Sequence, residues 1–157
     1  MIIKGSLFQN KKIQKMFENE KFTRKELKIM PENPYLFTTI VSGSMPKAIA
    51  KKHGVAVDTV LTGFKFIGEQ AEELSKSKKG TYLFGFEESY GFLVSDFVRD
   101  KDSIQAILII AEAACYYDNK GMDLYDGLES LYEEYGFYKE GITNIVLKGL
   151  EGKVKIA

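Results

Sequence analysis

Three short runs rich in β-branched and aromatic residues, Tyr35–Val41, Val55–Leu61 and Thr81–Phe84, are separated by two segments of helical periodicity. A strand that pairs in parallel with its neighbour needs a crossover of about a dozen residues, and a helix is the usual means of supplying it. The alternation therefore predicts a largely parallel sheet with helices on both faces. The first linking helix is expected over Pro46–His53, entered through Ser42-Gly43-Ser44 and closed at Gly54. The second runs from Phe64 to about Lys78, with Ile67, Ala71 and Leu74 on one side and Glu69, Glu72, Glu73 and Lys76 on the other. Phe92–Val94 reads as a short strand returning antiparallel. Two helices follow. Ser103–Tyr117, capped by Asp102 or Ser103, is apolar all round and is expected to pack deeply, burying Ile104, Ile107, Leu108 and Ala111. Asp123–Tyr135 carries a stripe of Leu124, Leu128, Leu131 and Tyr135 and stops at Gly136. The predicted fold class is α/β: a three-layer α/β/α domain around a small, mostly parallel mixed sheet of about four strands.

A chain of 157 residues, 45% hydrophobic and 28% charged, is long enough for one real core and too short for two ordinary domains. Residues 31–140 are expected to form that domain. Residues 1–30 form a basic segment, helical from Lys11 to Phe22, and residues 141–157 a charged linker that includes a weak edge strand at Thr143–Leu147. The final GLEGKVKIA resembles the start of another helix. Net charge is zero, but residues 1–30 hold eight Lys or Arg against three Glu, while residues 118–140 hold seven Asp or Glu against two Lys. The basic start has no nucleic-acid recognition motif, so nucleic acid is not an expected partner. Cys115 is the only cysteine and lies in an apolar helical run, so it reads as a packed thiol in a reducing compartment. His53, in KKHG, reads as a cap-region residue and not as a metal ligand. No apolar run approaches a membrane span or a signal peptide, and a soluble, cytoplasmic protein is expected.

In open α/β sheets, ligands sit beyond the carboxyl ends of the strands. That rule gathers three loops at one edge: Ser42–Ser44, Thr62-Gly63 and the heptapeptide GFEESYG, Gly85–Gly91. The last holds Glu87, Glu88 and Ser89 between glycines that permit tight backbone conformations. Carboxylates and a hydroxyl suit a polyol, whose ring hydroxyls donate in pairs. A plain surface turn is the competing reading. In TGFKFIGE, Thr62–Glu69, a helix start with exposed amides and nearby Lys65 suits an anion, although Thr62 also reads as an ordinary N-cap and the Walker spacing is absent. VRDKD, Val98–Asp102, clusters charges ahead of the next helix, and Lys101 there could donate a hydrogen bond or assist proton movement, unless the cluster is simply solvated. Glu87-Glu88 does not qualify as a glycosidase pair, because neighbouring residues do not flank one bond.

TGFKFIGE, GFEESYG and VRDKD, in this order, resemble the third domain of the α-D-phosphohexomutases, nearest the phosphoglucomutase branch. The resemblance is strongest from Leu36 to Tyr117. It implies that Glu87 and Ser89 bind sugar hydroxyls, that Thr62 and Gly63 form a second substrate-contacting loop, that Lys101 stands near the sugar during transfer, and that Glu88 is a lesser candidate ligand. Phe86 stands where many relatives have Gly, and Phe92 where others have His. Both departures disfavour the phosphomannomutase and phosphoglucosamine mutase branches.

The resemblance further implies a parent reaction that moves a phosphoryl group between the 1- and 6-positions of a hexose phosphate, with Mg²⁺ held in another domain. The family's catalytic serine setting, D-G-D-x-D-R metal loop and R-x-S-G-T-E-P phosphate loop do not occur in this sequence. The expectation is therefore a domain fragment, inactive alone and without a metal of its own, whose partners are a hexose phosphate and the other domains. Self-association through exposed interdomain faces is a further expectation. The alternatives are a stand-alone sugar-phosphate binding or assembly module, or a phosphopentomutase or phosphomannomutase fragment.

Overall fold

The computed structural model describes residues 30–141 and Val146. The helix expected at Lys11–Phe22, the end of the chain, and the Thr143–Leu147 strand apart from Val146 lie outside the described residues. In chain order the elements are β1 (Pro34–Thr39), α1 (Met45–Lys52), β2 (Ala56–Val60), α2 (Phe64–Ser77), β3 (Thr81–Glu87), β4 (Gly91–Leu93), α3 (Ser103–Asp118) and α4 (Leu124–Tyr135). The sheet order is β2-β1-β3-β4, parallel except for the β3–β4 pair. From β1 the chain crosses to β2 on one side and then returns past β1 to β3 on the other. Right-handed crossovers therefore set α1 and α2 on opposite faces, giving the expected α/β/α layers.

The main core lies under α2. Phe37, Phe64, Ile67, Leu74 and Leu93 are buried together, with Tyr35, Val60 and Tyr82 packed against them. Tyr35 and Phe37 alternate onto one side of β1, and their rings stack at 6.1 Å, while Phe37 stacks on Tyr82 at 5.8 Å. Each large apolar side chain buried in this way contributes roughly 1.5–3 kcal/mol. The Tyr82 hydroxyl donates to the Leu93 carbonyl at 2.9 Å, which ties β3 to β4 inside the core. Burial pushes its ionisation well above the ordinary phenol range.

A bulge in β3 sets the rest of the strand. Tyr35 pairs with Tyr82 but Leu36 pairs with Phe84, so Leu83 is an extra residue and the side-chain alternation shifts by one. After the shift Gly85 faces α2, where a Cβ would overlap the Tyr82 hydroxyl and Ile67. Glu87 follows on the same side, against Phe64. Phe84 and Phe86 turn to the other face, with Phe92 within 6.3 Å of Phe84.

Two expectations change. β3 continues through Gly85-Phe86-Glu87, so GFEESYG is a strand end, a three-residue turn and a strand start. Neither Gly85 nor Gly91 is at positive φ; each is small because another side chain occupies its Cβ space. The deep packing of the Ser103–Tyr117 helix is also corrected. Ile104, Ile107 and Leu108 are 78%, 67% and 52% exposed, and no residue of α3 is fully buried. This 16-residue helix packs against α4 and the three-residue edge strand β4, which cover little of its circumference. Asp102 caps α3, accepting from the Ile104 and Gln105 amides at 2.9 and 3.2 Å.

On α2, Gly68 lies under the loop that follows β4, and a Cβ there would overlap the Arg99 carbonyl oxygen. The obstacle is backbone and cannot rotate away. Gly68→Ala is expected to lower stability by about 1–3 kcal/mol, as overpacking does, in urea denaturation followed by circular dichroism. An unchanged midpoint would show that the loop is free to lift.

Candidate functional site

The parallel strands end at one edge, and four chain segments meet there. The β3–β4 hairpin turns through Glu88-Ser89-Tyr90, with Glu87 opposite Gly91. Three-residue hairpin loops commonly place their last residue in the left-handed region, and here that residue is Tyr90 at φ 56°. A non-glycine residue there costs about 1–2 kcal/mol. The residue is 94% exposed, so the strain is not offset by burial.

Glu88 is bound to the end of β1. Its Oε2 accepts from Thr39 Oγ1 at 2.9 Å and from Ser42 Oγ at 3.1 Å, and those two hydroxyls lie 2.8 Å apart. Thr39 and Ser42 are both buried. The backbone amide of Glu88, and then the Thr39, Ser42 and Ser89 hydroxyls, hold this carboxyl below its ordinary range, with burial opposing them.

Glu87 faces the other way. Only 5% of its side chain is exposed, and Oε1 lies 3.2 Å from Lys101 Nζ. The ammonium also sits 5.3 Å above the Phe64 ring, at the first turn of α2, and 3.8 Å from Asp100 Oδ1. Lys101 is 43% exposed, so it remains partly in water while paired with the buried Glu87. The N-cap of α2 is Gly63, at φ 122°, and no side chain caps it, so Thr62 is not the N-cap acceptor its alternative reading required. Lys65 lies over the Phe66 ring at 4.7 Å.

Glu87, Ser89 and Lys101 thus occur at one edge, with Phe64 linking Lys101 to the Thr62-Gly63 turn. An open groove of ≈ 430 Å³ continues from Lys101 between the hairpin and α3, lined by Tyr90, Phe92, Ala106, Ile107 and Ile110. Sequence reasoning missed Thr39, although a hydroxyl residue at the carboxyl end of a parallel strand is a usable signal. It also missed Gly68, whose role depends on a loop about thirty residues further along the chain. His53 closes α1 as expected, and its Nε2 lies 3.1 Å from the Tyr135 hydroxyl. Among the described residues no group of three His, Cys, Asp or Glu side chains could hold a metal ion, and no helix is long and apolar enough to cross a membrane.

An α/β/α domain whose loops converge at the carboxyl ends of its parallel strands belongs to the open-sheet α/β class, in which ligands bind at that edge. Residues 19–135 match the family described as phosphoglucomutase/phosphomannomutase, alpha/beta/alpha domain III, and the chain belongs to that family. It is 39% identical over 127 residues to a phosphoglucomutase of Staphylococcus haemolyticus (strain JCSC1435), covering 81% of this chain and 23% of the relative. It is 40% identical over 121 residues to a phosphoglucomutase of Staphylococcus aureus (strain N315), covering 77% and 22% respectively. A solved structure of a Thermus thermophilus protein assigned as a phosphomannomutase has the same fold, with a TM-score of 0.55 at 22% identity over 68% of this chain and 22% of that one. The chain spans less than a quarter of the length of these relatives.

Because Glu88 ionises below its ordinary value in the fold, its stabilising contribution is complete above the unfolded value of 4.5 and is lost as pH falls through the lower folded value. Denaturation midpoints measured from about pH 3 to 6 should therefore fall less steeply on the acid side for Glu88→Gln than for the wild type. Equal slopes would contradict the hydrogen-bonded arrangement of this carboxylate.

Proposed function

We propose that this chain is the sugar-recognising domain of a phosphoglucomutase-type enzyme, holding the hydroxyls of a hexose phosphate through Glu87 and Ser89 while Lys101 donates to an oxygen near the reacting end. The observation that carries the reading is the pairing of Glu87 with Lys101 at 3.2 Å beside the exposed hairpin. A sugar hydroxyl both donates and accepts, so it can insert between a carboxylate and an ammonium and satisfy each. Lys101 is partly solvated and long, and a modest swing of its side chain admits the ligand to Glu87. Thr62 and Gly63 stand by at the α2 terminus, where exposed amides favour an anion.

In this reading the parent enzyme, in the cytoplasm, interconverts the 1- and 6-phosphates of a hexose, and this chain alone does not turn over. The supporting fact is the small share of the relatives that it spans. Glu87 is paired with a cation and Glu88 with hydroxyls, which supports a reading in which the hairpin's carboxylates hold no Mg²⁺ and the metal belongs to another domain of the parent enzyme. The exposed side of α3 is then the face turned toward other domains, or toward a second copy when they are absent. The identity of Phe86 and Phe92, which pair across β3 and β4, and the likeness to curated phosphoglucomutases support the phosphoglucomutase branch in this reading.

Calorimetric titration with glucose 1-phosphate tests the assignment. Glu87→Ala should weaken binding by roughly 1–3 kcal/mol and Ser89→Ala by about 0.5–1.5 kcal/mol, as the loss of a charged and of a neutral hydrogen bond does. A folded Glu87→Ala protein that binds as the wild type does would refute the role of this carboxylate.

A further inference from the structure

We propose that Glu88 is a positioning residue that ties the hairpin to the end of β1 and so holds Glu87 and Ser89 in place, and that it is not itself a ligand of the sugar. The proposal deepens the sugar-recognition reading and rests on it for its functional half.

The geometry is that of an internal tie. Three oxygens, Glu88 Oε2, Thr39 Oγ1 and Ser42 Oγ, lie within 2.8–3.1 Å of one another. The two hydroxyls carry one proton each and serve three contacts, so a proton given to the neighbouring hydroxyl still leaves the other for Glu88. Both hydroxyl residues are buried, Thr39 completely. Without Glu88 they would have only each other, and an unmet buried hydroxyl is costly. Glu88 is an exposed residue, but its Oε2 is turned to the end of β1, and a sugar hydroxyl approaching that oxygen would have to compete with donors already in place. Glu87 differs, because its partner is a flexible, partly exposed ammonium that can move aside.

The tie also spans the right interval. It connects the last residue of β1 to the first residue of the hairpin turn, across strands that are already neighbours. Two residues further on, Tyr90 is in a left-handed conformation, which persists only where the surroundings over-determine it. Gly91 and the β4 pairing restrain that turn from one side, and Glu88 restrains it from the other.

A double-mutant cycle separates positioning from contact. Thr39→Val with Ser42→Ala removes the two hydroxyl donors at the end of β1 and leaves Glu88 and its local Ser89 contact unaltered; Glu88→Ala removes the acceptor. Each should weaken glucose 1-phosphate binding about tenfold, and all three changes together should do no worse than Glu88→Ala alone, because the groups act as one unit. The amides of Ser89 and Tyr90 should become more mobile in ¹⁵N relaxation for either variant, with the core resonances unchanged. Losses that add, or a double variant that binds as the wild type does while folded, would overturn the proposal and make Glu88 a sugar contact. If the wild-type chain binds no hexose phosphate, the sugar reading fails on its own. The tie is then judged by the Ser89 and Tyr90 amides: mobile in the double variant, it stands, and rigid, it falls.

Discussion

The side of the sheet that Glu87 faces is decided four residues earlier, where β3 inserts Leu83 into its pairing with β1. Side chains alternate along a strand, so one extra residue exchanges the two faces for everything downstream. Gly85 then meets Ile67 and the Tyr82 hydroxyl, which no larger residue could do, and Glu87 arrives beside Phe64 at the start of α2. Without the bulge, Phe84 and Phe86 would press on α2, and both the acidic group and the space for it would be lost. The site thus depends on a register defect held by aromatic packing around Phe37 and Tyr82.

Lys101 is brought to the same place by a second close approach. Gly68 lets the Arg99 carbonyl rest on α2, which fixes the loop just ahead of the α3 cap. The Gln105 side chain accepts from the Val94 and Ser95 amides at 3.0 and 2.7 Å, fastening that loop to α3 at its other end. A lysine on an untethered loop would lose much of its benefit to side-chain and backbone entropy. Adjacent in sequence, Glu87 and Glu88 therefore have opposite circumstances. One pairs with a movable cation, and the other is bound to two buried hydroxyls.

Strand–helix alternation made the layers, the parallel strands and the convergence of the loops legible, and the helix boundaries followed from Pro46, Asp102, Asp123 and Gly136. Less could be read at the candidate site itself. A bulge leaves no mark in a run such as Thr81–Phe84, because its cause is packing between strands distant in sequence. Gly85 and Gly91 read as turn residues, yet their smallness serves neighbouring side chains. The α3 helix differs for another reason: apolar residues all round signal burial only when something covers them, and here the main elements packed on it are the short β4 and α4, which leave much of it exposed.

On the proposed reading, the hairpin, the α2 terminus and Lys101 act as one recognition surface for a hexose phosphate. Chemical-shift mapping of the ¹⁵N-labelled chain titrated with glucose 1-phosphate, with inorganic phosphate as a parallel control, tests it most directly. Saturable shifts are expected at Glu87–Tyr90, at Thr62-Gly63 and at Lys101, with the hairpin responding to the sugar and not to phosphate alone. Shifts confined to the basic residues 1–30, or identical for phosphate and sugar phosphate, would contradict it.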